Sequence, residues 1–191
     1  RVLWLTPIFA SPSYHGYDIS DYYKINPEFG SEADLVELLN EAHKRGIKII
    51  LDYVVGHSSN QHPFFKDALN NPQSKYSDWY RWNDPQHTRY DSFAGVKELP
   101  SLNHANPEAQ KYLIDVAKYW MNLGVDGYRA DYVLGVSHDF WKKLRVEVKA
   151  INPNFILLAE AWTDGTKIRD YFQNEFDAAF DFPFYGDVQR S

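Results

Sequence analysis

Val125-Asp126-Gly127-Tyr128-Arg129-Ala130-Asp131 is a short apolar run that stops at a carboxylate, and Phe155-Ile156-Leu157-Leu158-Ala159-Glu160 is another. Each reads as a buried strand. Between them, residues 137–150 read as an amphipathic helix. Strand, helix, strand is the unit that joins two parallel neighbours of one sheet. An acid at the end of a buried strand is costly unless it is paired or working. Here two acids, Asp131 and Glu160, end successive strands.

The same alternation extends outward in both directions. Val2–Leu5 reads as a first strand, and Ser31 to Arg45 as a helix. Ser31 and Asp34 have capping-box spacing, and Gly46 stops the helix. Leu35, Leu38, Leu39 and Ala42 form its apolar stripe. Ile47–Val55 is a near-continuous apolar run. Asn106-Pro107-Glu108 opens the next helix with Pro in its first turn. Its inner face is Leu113, Val116, Ala117 and Trp120, and Gly124 ends it. After Glu160 come a helix near Gly165–Asn174 and a last strand around Ala178–Phe182. Apolar strands alternating with amphipathic helices specify a parallel sheet covered by helices. An open doubly wound sheet and a closed barrel both fit this pattern. No Gly-x-Gly-x-x-Gly or Walker sequence follows any strand.

One connection breaks the alternation. Residues 57–103 show no clean period and are rich in aromatic, Asn, Asp and Pro residues, as in Tyr76-Ser77-Asp78-Trp79-Tyr80-Arg81-Trp82-Asn83-Asp84-Pro85. A loop this long inside a compact domain is usually functional. It leaves the C-terminal end of a strand, where parallel barrels carry their sites.

Composition narrows the function classes. The 191 residues carry a net charge of −6, which argues against a nucleic-acid partner. There is no Cys, so disulfides and thiolate metal sites are excluded. No apolar stretch is long enough to span a bilayer, so no membrane partner is expected. The 14 Tyr, 12 Phe and 6 Trp fit either a large core or a sugar cleft with stacking platforms. The chain opens directly in a strand pattern without Met, so a longer parent is expected and targeting cannot be read.

Arg129 and Asp131 are two apart on a strand and share a face. A guanidinium there would keep Asp131 ionised, as a covalent nucleophile must be; a structural ion pair gives the same pattern. Glu160 is flanked by Ala159, Ala161 and Trp162, an apolar setting that favours a protonated general acid; an acid held by an Arg is the alternative. His57 suits a hydrogen bond to a substrate hydroxyl or a backbone-satisfied loop position. Tyr17, in His15-Gly16-Tyr17-Asp18, is either a stacking platform or packing.

Taken together, these residues resemble the α-amylase superfamily, glycoside hydrolase family 13. His15-Gly16-Tyr17-Asp18-Ile19-Ser20-Asp21-Tyr22 is similar to the loop after the family's second barrel strand. Asp52-Tyr53-Val54-Val55-Gly56-His57 resembles its third-strand motif, and Gly127 to Asp131 its fourth-strand nucleophile motif. Leu158-Ala159-Glu160-Ala161-Trp162 resembles the fifth-strand acid motif, and Leu99-Pro100-Ser101-Leu102-Asn103 the motif closing an inserted domain B. The resemblance implies a (β/α)8 TIM barrel represented in part, from about the second to the sixth strand. Residues 1–56 and 104–191 would be barrel, and residues 57–103 domain B. It implies Asp131 as nucleophile, Glu160 as general acid/base and Arg129 as the partner of Asp131. Tyr17, His57, Asp18, Asp52 and Trp162 are the implied substrate-binding residues. The implied reaction is retaining cleavage of α-1,4-glucosidic bonds, which places the two carboxyl groups about 5–5.5 Å apart. No cofactor is required for that chemistry.

Three departures accompany the resemblance. The family's third catalytic carboxylate follows its seventh strand, and this chain has no counterpart. Gly56 stands where the family usually has Asn, a residue that often helps bind a structural calcium, so that ion is left open. Leu134 and Gly135 replace the Lys and His of many starch-cutting members, while Val136, His138, Phe140 and Trp141 are similar to neopullulanase and cyclomaltodextrinase relatives.

Overall fold

The computed structural model describes residues 1–190. Five parallel strands form its centre: β1 (Val2–Leu5), β4 (Lys48–Tyr53), β5 (Gly127–Ala130), β6 (Ile156–Ala159) and β7 (Ala178–Ala179), side by side in that order. A short antiparallel pair, β2 (Phe9–Ala10) and β3 (Asp21–Ile25), follows β1. The helices are α1 (Glu32–Lys44), α2 (Pro63–Ala68), α3 (Pro107–Asn122), α4 (His138–Ile151) and α5 (Phe182–Arg190). No helix among the described residues is long and apolar enough to cross a membrane.

The helix boundaries follow from local chemistry. Ser31 Oγ accepts from the Asp34 amide at 3.3 Å, and the Asp34 carboxylate accepts from the Ser31 amide at 2.7 Å. This closes a capping box at the start of α1. Gly46, at φ 68°, turns the chain out of it. Leu35, Leu39 and Ala42 are buried as expected, whereas Leu38 lies at the edge of the stripe and is exposed. Asn106 Oδ1 caps α3 by accepting from the Glu108 and Ala109 amides, each at 2.9 Å. Ser137 does the same for α4 through the Phe140 amide.

The strands are in register so that Asp52 pairs with Arg129, and Ala130 with Ala159. Alternation then separates two faces. Tyr53 and Tyr128 point toward the helices and stack with ring centres 4.6 Å apart. Their hydroxyls donate to the Leu113 and Ala117 carbonyls of α3. Gly127, Arg129 and Asp131 share the other face. At the N-terminal end of the sheet, an Asp precedes each of two strands and reaches sideways. Asp126 Oδ2 accepts from the Ile49 amide at 2.8 Å, and Asp177 Oδ2 from the Leu157 amide at 2.9 Å.

Residues 57–103 carry an aromatic cluster of their own, with Phe65, Trp79 and Tyr80 buried. Phe64 stacks on Tyr76 at 3.9 Å, and Trp82 on His87 at 4.4 Å. Much of the aromatic composition is therefore packing. The Leu102 amide donates to the Gly56 carbonyl at 3.0 Å and the Ser58 amide to the Pro100 carbonyl at 3.1 Å, closing the segment on the end of β4.

Two expected elements differ. The helix expected near Gly165–Asn174 is a 3-10 turn over Lys167–Phe172. Asp164 takes the Thr166 and Lys167 amides, and Asn174 turns left-handed at φ 64°, so only a short winding fits. The last strand pairs only through Ala178–Ala179. Asp181 then accepts from the Phe184 amide at 3.0 Å and starts α5 where strand was expected. Position 191 lies outside the described residues.

Candidate functional site

A cleft of about 490 Å³ opens at the C-terminal ends of β4, β5 and β6. Its polar floor is Arg129, Asp131 and Glu160, and its walls include Tyr17, His57, Phe93, Leu99, Tyr132 and Trp162. The two acids that ended the apolar runs therefore face one cavity.

Arg129 organises the floor. Its Nη1 donates to Asp52 Oδ1 and Asp131 Oδ1, each at 2.8 Å, and its Nη2 lies 2.5 Å from Glu160 Oε1. Two carboxylates gripping neighbouring nitrogens of one planar fork are less than about a nanometre apart. The guanidinium also lies over the Trp4 ring, 4.9 Å from its centre. It is 4% exposed, and its Nε has no hydrogen-bond partner among the described residues.

Three acids and one guanidinium share this space, and burial raises the pKa of two of the acids, Asp131 and Asp52. Asp131 is pushed up to about 7 by its removal from water, which outweighs the opposing Arg129 charge; Asp52 and Glu160 push it further. Burial likewise lifts Asp52 to about 6 against the pull of Arg129. Burial thus works against the ionised form expected for Asp131, and the Arg129 charge works for it. For Glu160 the structure shows the alternative reading, an acid held by an Arg. Its carboxylate meets the guanidinium on one oxygen and accepts the Tyr132 amide on the other at 2.9 Å.

The other candidates are placed as follows. Tyr17 donates its hydroxyl to Asp52 Oδ2 at 3.2 Å, and burial raises its pKa. His57 Nε2 lies 3.1 Å from the Tyr17 carbonyl, and burial pushes the ring down to about 4, so it is neutral at pH 7. Trp162 is 64% exposed and stacks on Phe182 at 4.4 Å. Asp52 lies beneath the cleft, bound to Arg129, Tyr17 and the Trp4 indole (3.2 Å). Asp18 is not among the cleft-lining residues; its carboxylate is taken by the hydroxyls of Ser11 (2.5 Å) and Ser13. Gly56 offers no side-chain oxygen, and among the described residues no group of three or more His, Cys, Asp or Glu could hold a metal ion.

Sequence reasoning missed Phe93, Leu99 and Tyr132 as cleft walls and Trp4 as support for Asp52. Tyr132 had one available signal, its position next to Asp131. Phe93 had none, because a distant loop delivers it.

Comparisons with known proteins show the family and the fold. Residues 1–190 match the family model described as alpha amylase, catalytic domain. Neopullulanase 2 of Thermoactinomyces vulgaris is 42% identical, over 98% of this chain and 33% of its own length. A cyclomaltodextrinase of Geobacillus thermopakistaniensis is 39% identical, over 95% and 32%. Among solved structures, a cyclomaltodextrinase superposes with a TM-score of 0.92 at 35% identity, over 99% of this chain and 33% of that one. The alpha-amylase from H. orenii superposes with a TM-score of 0.88 at 37% identity, over 95% and 42%. The chain spans about a third of the length of the curated relatives named here.

Proposed function

Because the chain belongs to the alpha-amylase catalytic-domain family, we propose that its protein is a retaining α-glycoside hydrolase acting on α-1,4-linked glucans or maltooligosaccharides. One observation carries the proposal. Asp131 and Glu160 end adjacent parallel strands, face one cleft and are bridged by the same guanidinium. In this reading Glu160 protonates the glycosidic oxygen while Asp131 attacks the anomeric carbon. Water then releases the glycosyl-enzyme with Glu160 as base. This reading requires the proton on Glu160 and the charge on Asp131 at the moment of attack. A sugar oxygen taking the place of Arg129 Nη2 at Glu160 favours that distribution. Neutral His57 and Tyr17 contact the ring under attack, and Trp162, next to Glu160, carries the leaving sugar. The chemistry needs no cofactor. Residues 1–56 and 104–191 are read as adjoining segments of a (β/α)8 barrel, and residues 57–103 as the inserted domain B.

A cyclomaltodextrinase-type or neopullulanase-type specificity is the second reading within this class, favoured by the relatives at 39–42% identity. Product profiles on starch, a cyclodextrin and maltotriose separate it from an endo-acting amylase.

Asp131→Asn in the intact protein tests the main proposal. Turnover of maltotriose should fall by about 10⁴-fold or more while thermal unfolding is retained. A 2-fluoroglucoside should label Asp131 covalently in the parent. Near-normal turnover by the variant would overturn the assignment, and absence of labelling would favour a non-catalytic scaffold.

A further inference from the structure

Tyr132, directly after Asp131, holds a backbone that side-chain-bearing residues rarely adopt: φ 39°, ψ 60°, the left-handed region. An aromatic residue persists there only when its surroundings impose it. Those surroundings are visible. The Tyr132 amide donates to Glu160 Oε2 at 2.9 Å, and the next amide, Val133, donates to the Glu160 carbonyl at 3.1 Å. The Glu160 amide in turn donates to the Ala130 carbonyl at 3.0 Å. The chain thus continues the β5–β6 ladder to Glu160 and then turns left-handed. That turn aims one amide at the side chain and the next at the main chain of the same residue. On its outer side, the Tyr132 ring meets Phe93 edge-on with centres 5.0 Å apart, and Phe93 tilts against His57 at 5.1 Å.

Resting on the glycosidase reading above, we propose that Tyr132 is a positioning residue for proton transfer: its left-handed backbone fixes the amide that orients the Glu160 carboxyl group. Arg129 holds one oxygen of Glu160 and Tyr132 the other, so the Oε1 edge is left to exchange its guanidinium partner for the glycosidic oxygen. The amide keeps the carboxyl plane fixed during that exchange. The Tyr132 hydroxyl has no part in the step. The ring's role is to anchor the turn against Phe93.

The test separates proton delivery from general damage. In the intact protein, Tyr132 is replaced by its α-hydroxy-acid counterpart, which turns the amide into an ester. This removes the N–H and keeps the ring. Two substrates are compared by kcat/KM, which reports the first chemical step. Maltotriose needs its leaving oxygen protonated, whereas α-glucosyl fluoride leaves with little help. The expected result is a loss of about 10- to 100-fold on maltotriose with less than about threefold on the fluoride. Tyr132→Asn keeps the amide and tolerates the left-handed turn, so it should restore the parent's ratio between the two substrates. Equal losses on both substrates, or no loss on maltotriose, overturn the proposal. A parent protein that cleaves neither substrate would sink the glycosidase reading itself.

Discussion

Asp52 and Arg129 are register partners on neighbouring parallel strands, and Oδ1 of one lies 2.8 Å from Nη1 of the other. Because Arg129 also holds Asp131 and Glu160, Asp52 is linked to both cleft acids without lining the cleft. Its negative charge is one reason the Asp131 carboxyl is lifted to about 7.

That coupling sets an expected pH profile. A nucleophile must be ionised, so kcat/KM should fall on the acid side as pH drops through about 7, the value for Asp131. Asp52→Asn removes a charge that raises Asp131, so the acid limb should move to lower pH. Profiles of kcat/KM for the parent and the variant check this. A limb that stays in place, or moves upward, would show that Asp52 does not act on Asp131.

Gly127 opens β5 with no room beside it. A Cβ there would press on the Ile156 carbonyl oxygen, lie 2.7 Å from Ile156 Cβ and 2.9 Å from Ile50 Cγ2. The first of these is backbone of the adjoining strand and cannot swing away. Gly127→Ala should therefore destabilise by about 1–3 kcal/mol or more, read as a lower Tm of the intact protein. Activity at a permissive temperature should fall as well, because Arg129 is two residues along the same face.

Asp177 tests the opposite end of the sheet. It accepts from the Leu157 amide and pairs with Lys149 and Arg145 at 2.8 Å each. Burial alone would raise its pKa, but these bonds together hold it below the ordinary 3.8. A carboxylate lowered on folding contributes stability that is complete above the unfolded value and is lost as pH falls through the folded one. Asp177→Asn should lower the Tm at pH 7 by a few degrees, about 1–2 kcal/mol. The deficit should persist down to about pH 4 and close below it. Activity on short substrates should change little, since Asp177 lies at the far end from the cleft.

Elements with a strong local signal were legible in the sequence. The stripes of α1, α3 and α4, with their Ser31, Asn106 and Ser137 caps, are written within each segment. So are the apolar runs of β4, β5 and β6. The pair β2–β3 was hidden because two-residue pairing leaves little periodicity among Pro and Gly. The start of α5 carried a readable cap, Asp181 with Pro183 close behind, which the apolar run around it obscured. The acids at the strand ends could be named from the chain alone. The upward shift of Asp131 could not, because burial and three-way sharing of Arg129 depend on strands far apart in sequence. For the same reason Glu160 looked apolar among its neighbours, while the group that meets it comes from the adjoining strand.

The carboxylates of Asp126 and Asp177 staple β4 to β5 and β6 to β7 where the strands begin, and Arg129 ties β4, β5 and β6 at the opposite rim. Rim loops such as the one bearing Phe93 can then lengthen, shorten or change their residues without loosening the ladder beneath. The cleft walls can change by editing those loops alone, with the pair of acids kept on an unchanged foundation.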